Sequence, residues 1–274
     1  MKRKDTQLLL ERLKKLLLDL KLKTAASEMG PRLLKAGGED ALPTVLDVIE
    51  MEVKERDDRR TERLRRASHL PAGKTFDTLD RSRLPRALAQ KLDDLSAGSW
   101  VEEAANVLAF GLPGVGKSHA AAALGHALIA HGYSVFFTPT FRLVQELLAA
   151  KRDLQLPRAL RKLDLFDVLV LDDIGYVQQT PEEVEVLFTL MAERYERRSI
   201  LITSNLVFSE WDRIFKNPMT TAAAIDRLVH HATILEIDRD SIRAEEAKKR
   251  KAPKTTTTNP TTTTSPRDDN YPTT

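Results

Sequence analysis

The chain has 274 residues, 42% of them hydrophobic, with 43 Lys and Arg against 40 Asp and Glu for a net charge of +3. That length holds one large domain and a smaller companion, in a composition ordinary for a globular protein. The absence of cysteine excludes disulfides and thiolate metal sites, which suits a cytoplasmic protein. No apolar run approaches the roughly 18 residues of a membrane span, and the early leucines are interrupted by Lys14, Lys15, Asp19 and Lys21, unlike a signal-peptide core.

Residues 6–22 place Leu9, Leu13, Leu16, Leu17 and Leu20 at three- and four-residue spacing, which predicts a helix with one apolar stripe. A second helix is predicted after Pro43, where Thr44 and Asp47 fit a capping box and Val45, Ile49 and Val53 continue an apolar face. It turns intensely charged over residues 54–66, with seven Lys and Arg against four Asp and Glu. Two readings stand here: a basic face that follows a phosphate backbone, or a solvated helix laced with salt bridges. Residues 1–70 therefore read as a small all-helical domain. Pro71, Gly73, Pro85 and Gly98 mark a junction and lead-in helix over residues 71–105, where Phe76 and Trp100 read as packing residues.

A short buried strand over residues 107–110 then runs into Gly111-Leu112-Pro113-Gly114-Val115-Gly116-Lys117-Ser118, followed by an alanine- and leucine-rich helix over 119–130. This is the full G-x-x-x-x-G-K-[ST] pattern in the strand–loop–helix context it requires, and it predicts a phosphate cradle for ATP. Glycines let backbone N–H groups surround the phosphates, and the helix N-terminus adds its positive dipole end. Lys117 would reach the β- and γ-phosphates, and Ser118 would hold Mg²⁺. Residues 133–138 read as another strand, and residues 168–171 as a fully buried one that ends in Asp172 and Asp173. Asp172 suits Mg²⁺ ligation, and Asp173 suits a general base for water. A helix is predicted over 182–198 and a third apolar strand over 200–205, ending in Asn205, which can orient water or meet the γ-phosphate or can simply end the strand in a turn. Repeated βα units of this kind predict a parallel sheet covered by helices.

Arg227 lies in an apolar helical pattern over 222–229, where a surface pair with Asp226 is the ordinary reading. His230 and His231 are adjacent and are expected to diverge at a helix end, so no His-based metal site is expected. Residues 248–251 are a basic tetrad, and the threonine- and proline-rich stretch to residue 274 reads as a disordered tail. Residues 1–106 carry 22 basic against 19 acidic side chains, residues 107–247 carry 15 against 19, and residues 248–274 carry 6 against 2. Basic character thus belongs to the ends.

Asn106-Val107-Leu108 before the glycine-rich loop, Leu171-Asp172-Asp173-Ile174-Gly175, Thr203-Ser204-Asn205-Leu206 and Asp226-Arg227-Leu228 together resemble the IstB-like and DnaC-like group of AAA+ ATPases. The stretches over 202–211 and 224–232 are more similar to the IstB transposition helpers than to the helicase loaders. The resemblance covers residues 75–243. It implies a P-loop AAA+ three-layer sandwich over residues 106–247, preceded by the small all-helical domain, which would serve DNA binding and assembly. It implies that Asn205 is a sensor-1 residue, Arg227 an arginine finger for a neighbouring subunit, and Arg243 a sensor-2 arginine. The partners it implies are double-stranded DNA, the transposase encoded by the same element, and further copies of the chain sharing ATP sites. Alternatives are a helicase loader and an ATP-gated DNA-binding scaffold with negligible turnover. The sequence departs from the family pattern twice: Asp173 stands where many AAA+ proteins have Glu, and Asp238-Arg239-Asp240 precedes Arg243 in place of a glycine turn.

Overall fold

The structure is a computed structural model that describes residues 3–175, 180–215 and 218–237. Arg243 and the tail from residue 248 lie outside the described residues.

Three helices come first: α1 (Arg3–Asp19), α2 (Lys23–Lys35) and α3 (Leu42–Ser68). Leu13 and Leu17 of the predicted stripe are buried against Ala26, Leu42 and Leu46, with Leu9 and Leu16 at the margin. The first helix stops at Asp19, three residues short of the predicted range. Lys21 takes a left-handed φ of 61°, its N–H meets the Leu18 carbonyl at 2.8 Å, and the Leu22 N–H meets the Leu17 carbonyl at 2.9 Å. Those paired bonds form a Schellman stop, which local geometry imposes although the leucine spacing continues. The capping box at Thr44 does not form: α3 begins earlier, at Leu42, and Pro43 occupies its first turn. A proline is at home there because a first-turn N–H has no intrahelical partner.

Downstream lie α4 (Arg86–Ser96), α5 (Ser99–Glu102), β1 (Asn106–Phe110), α6 (Lys117–Ala130), β2 (Val135–Pro139), α7 (Thr140–Arg152), α8 (Leu156–Leu163), β3 (Val168–Ile174), α9 (Pro181–Arg194), β4 (Ser199–Ser204), α10 (Asp212–Phe215), α11 (Pro218–Val229) and β5 (Ala232–Glu236). The five strands are parallel, in the order β2-β3-β4-β1-β5. The apolar runs of β1, β3 and β4 are buried on both faces, and successive side chains alternate between two cores. Val107, Ala109, Val168, Val170, Leu201 and Leu235 meet α4 and α6 through Leu88, Leu92, Leu124 and Leu128. Leu108, Phe110, Leu169, Leu171, Ile200 and Ile202 meet α7, α9 and α11 through Leu147, Leu187, Leu190 and Leu228. Each such Val, Leu, Ile or Phe side chain contributes about 1.5–3 kcal/mol by leaving water. This is the helix–sheet–helix sandwich that the AAA+ resemblance implies.

The 27 residues of α3 span about 40 Å at 1.5 Å per residue. Its first half belongs to the small helical core, while Leu64 and the following Leu70 pack on the sheet-side core. Leu70 lies across Gly125 of α6, where an added Cβ would stand 2.8 Å from the leucine side chain. Trp100 is buried as expected and donates its indole N–H to the Leu95 carbonyl at 2.9 Å. Phe76 rests on the same core, with the Arg81 guanidinium 4.6 Å above its ring. Both aromatics are thus engaged in packing.

Candidate active site

Crossing from β1 into α6, the chain wraps tightly at the carboxyl edge of the sheet. Gly111 has no room for a side chain, because a Cβ there would lie 2.3 Å from the Ile237 carbonyl, where the chain leaves β5. Gly116 caps α6 with φ 99°, a left-handed conformation that turns the loop into the helix. Lys117 follows it and is 6% exposed. Its ammonium donates to the Gly111 carbonyl at 2.7 Å, the Leu112 carbonyl at 2.9 Å and Asn205 Oδ1 at 2.5 Å. Ser118 stands next to it on the first turn of α6. Pro113, Gly114 and Val115 complete the loop, with Val115 turned into the core.

The acidic pair ends β3, one strand removed from β1. The β3–β4 register runs Leu171 to Ile202 and then jumps to Ile174 and Ser204, a bulge that carries Asp172 and Asp173. Asp173 takes a left-handed φ of 61°. Thr203 Oγ1 donates to Asp172 Oδ1 at 2.7 Å and accepts the Asp173 N–H at 2.8 Å. Thr140 Oγ1 donates to the Asp172 carbonyl at 3.0 Å. Asn205 Nδ2 donates to Asp173 Oδ1 at 2.9 Å, so one carboxamide joins the carboxylate to the P-loop lysine. An Asn between a cation and an anion is oriented by them, oxygen to the lysine and amide to the carboxylate. The loop after Asn205 is pinned as well: Leu206 and Ser204 exchange hydrogen bonds, and the buried Trp211 donates to the Leu206 carbonyl at 3.1 Å. The donor set fits magnesium nucleotide. Ser118 and Asp172 offer the hard oxygens that Mg²⁺ takes, beside a helix N-terminus and a lysine suited to phosphate.

Arg227 is not part of this network. Asn106 Nδ2 donates to the Leu228 carbonyl at 3.1 Å, which ties that end of α11 to the first residue of β1. The P-loop follows the last residue of β1, about 16 Å further along the strand. The guanidinium does not pair with Asp226 among the described contacts; it donates to the Ala223 carbonyl at 3.3 Å and stacks 4.7 Å from the Phe188 ring centroid. His230 and His231 also depart from expectation. The helix ends before them, so the rings converge, with centroids 4.2 Å apart, and form an exposed cluster with Glu196 in which one ligand atom from each lies within 4.8 Å of the others. Tyr195 Oη and His230 Nδ1 are hydrogen-bonded there at 3.1 Å.

Arg194 carries no motif, yet its charge is buried, 1% exposed. It donates to the carbonyls of Leu163, Phe166, Asp167 and Ser199, and so holds the loops that enter β3 and β4. Burial pulls its pKa down to about 10, against the opposing attraction of Asp164, and it remains a cation near neutrality. The helix α9 ends at Arg194 and not at residue 198, because the backbone leaves helical geometry at Tyr195, with ψ 127°, and Glu196 takes a left-handed φ of 55°. Thr140 carries no sequence signal as a site residue, and Thr203 stands in the Thr203-Ser204-Asn205-Leu206 motif with no role of its own assigned.

The IstB-like ATP binding protein family matches residues 12–252. An insertion sequence ATP-binding protein of Sinorhizobium fredii (strain NBRC 101917 / NGR234) is 50% identical over 201 residues, 73% of this chain and 67% of the relative. The ATP-binding protein of insertion sequence IS21 from Pseudomonas aeruginosa is 39% identical over 187 residues, 68% of this chain and 70% of that one. Among solved structures, the DnaC helicase loader superposes with a TM-score of 0.50 at 20% identity, over 61% of this chain and 98% of that one. AMPPCP-bound DnaA from Aquifex aeolicus gives 0.52 at 17% identity, over 66% and 57%. Those two share the fold. With the AAA+ sheet order, a complete P-loop and half-identity to an insertion-sequence relative, this chain belongs to the IstB-like ATP-binding protein family.

Proposed function

We propose that the chain is a cytoplasmic, Mg²⁺-dependent ATPase that assembles with copies of itself on double-stranded DNA and assists the transposase of its insertion sequence in engaging target DNA and in strand transfer. The observation that carries this reading is the hydrogen-bonded line Lys117–Asn205–Asp173, which links the P-loop to the acidic strand end across 88 and 32 residues of sequence. Such an array suits phosphoryl transfer, which needs a cation at the phosphates and a carboxylate at the attacking water. Lys117 would exchange its carbonyl partners for the β- and γ-phosphates, while Ser118 and Asp172 hold the metal ion. Bound Mg²⁺ neutralises charge that builds on the phosphate oxygens during transfer. Asp173 would accept a proton from the attacking water, and Asn205, already bonded to that carboxylate, would hold the water in line. Arg227 would act on a neighbouring subunit's nucleotide, a reading supported by its distance from its own P-loop. Arg243 would approach the phosphates as the sensor-2 arginine.

DNA contact would be electrostatic. The helical domain over residues 1–70 and the basic tail from residue 248 carry the positive excess. The test is phosphate release from MgATP with and without duplex DNA, with capture of the element's transposase on the assembled protein. DNA-stimulated release together with retained transposase is expected. Nucleotide binding without release above background would instead identify an ATP-gated scaffold, and retention of a replicative helicase in place of the transposase would identify a loader.

A further inference from the structure

We propose that Thr203 is the positioning residue of the acidic pair: its hydroxyl sets the side chain of Asp172 and the backbone of Asp173 together. The inference rests on the reading of Asp172 as metal-holding and Asp173 as water-activating. In the β3–β4 ladder, Asp172 and Asp173 both stand opposite Thr203, because the register moves from Leu171–Ile202 straight to Ile174–Ser204. A bulge leaves one N–H without its ladder acceptor. That donor is the Asp173 N–H, and the Thr203 hydroxyl accepts it at 2.8 Å.

The direction of the second bond follows. A hydroxyl has one proton, and since Thr203 Oγ1 is the acceptor toward Asp173, its proton goes to Asp172 Oδ1, 2.7 Å away. The arrangement cannot invert, because the Asp173 N–H only donates and an ionised Asp172 only accepts. Thr203 is fully buried, so water does not compete for either bond. Its branched side chain is locked at χ1 on a strand, which makes the oxygen a fixed point. One oxygen therefore holds Asp173 in its left-handed turn, with φ 61°, and aims the Asp172 carboxylate. Thr140 anchors the Asp172 carbonyl from the other side at 3.0 Å.

Thr203→Val keeps shape and packing and removes the hydroxyl; Thr203→Ser keeps the hydroxyl; Thr203→Ala is the parallel variant that cannot overpack. Three readouts separate positioning from mere strand filling. In nucleotide-free protein, the Asp173 amide should exchange its hydrogen about tenfold faster in Thr203→Val and Thr203→Ala, and stay protected in Thr203→Ser. Affinity for a fluorescent ATP analogue in EDTA should match the parent, while the gain on adding Mg²⁺ disappears. In turnover, kcat should fall about 100-fold with little change in KM, and Thr203→Ser should recover most of it. Retained amide protection and an undiminished Mg²⁺ gain in Thr203→Val would overturn the assignment, leaving Thr203 as packing. Wild-type turnover is scored separately. Its absence would refute the ATPase reading, while the amide and Mg²⁺ readouts still decide the role of Thr203.

Discussion

Lys117 is a cation 6% exposed that donates to two loop carbonyls and to the oxygen of Asn205. On the proposed reading the ammonium exchanges these acceptors for the phosphates when nucleotide arrives. Asp173, by contrast, accepts from the amide of Asn205, and on the proposed reading it meets the attacking water and not the phosphates. The two residues should therefore fail differently. Lys117→Ala is expected to lose nucleotide binding outright, since it removes the charge that faces the phosphates. Asp173→Asn should bind ATP within a few-fold of the parent and lose roughly 10²–10⁴ in kcat, because a carboxamide accepts no proton. Equilibrium binding of a fluorescent ATP analogue, set beside phosphate release, checks both. Equal loss of binding in the two variants would end this division of labour.

Among the helices, α3 joins the two packed regions and carries the densest charge. The structure pairs Arg56 with Glu52, Arg59 with Glu55, and Arg65 and Arg66 with Glu62 along its surface. That is the salt-bridge lacing the sequence left open as one reading. It does not forbid the other: exposed i,i+4 pairs are worth about 0.3–0.5 kcal/mol, less than a phosphate contact that releases counterions. The cluster also holds the carboxyl of Glu62 below its usual range, through its bond to Arg66 first. Arg60 is different, because it donates to the Gly132 carbonyl at 2.9 Å and helps fasten α3 to the turn after α6. A test of DNA binding should leave it in place. Replacing Arg59, Arg63 and Arg66 by Gln is expected to flatten the plot of log affinity against log salt by roughly 0.9 for each lost contact, with little dependence on DNA sequence. Fluorescence anisotropy at several salt concentrations measures this, and an unchanged slope would return α3 to the role of a solvated strut.

For the assembled molecule, the decisive geometry is the length of β1. Arg227 is tied near its beginning through Leu228 and Asn106, while the P-loop grows from its end. An arginine so placed serves a neighbour's nucleotide or none. On the proposed reading, Arg227→Ala should bind ATP almost normally yet hydrolyse it poorly, because the contact matters in the transition state. Mixing this variant with Asp173→Asn should restore part of the activity, since each supplies what the other lacks. Phosphate release from the mixture, measured against each variant alone, is the check. If mixed oligomers form and remain inactive, Arg227 is only the partner of Phe188, and the shared site fails.

The P-loop was legible because its chemistry is contiguous: eight successive residues carry the turn, the amides, the cation and the metal hydroxyl. The βα alternation was legible for a related reason. Buried parallel strands need unbroken apolar runs, and the polar residues that end those runs collect at one edge of the sheet. Contacts between distant residues left no such mark. The bonds of Asn205 to Lys117 and Asp173, the bulge that gives Thr203 its two bonds, and the four carbonyls around Arg194 depend on strand register and loop closure, which no local pattern encodes. The helix ends misled for the same reason: the predicted first helix runs past Lys21, and Thr44 imitates a cap inside α3, yet backbone hydrogen bonds and packing choose where each helix stops or starts. Sequence periodicity reports which face is buried. Only the folded chain brings a hydroxyl on one strand to the carboxylate of the next.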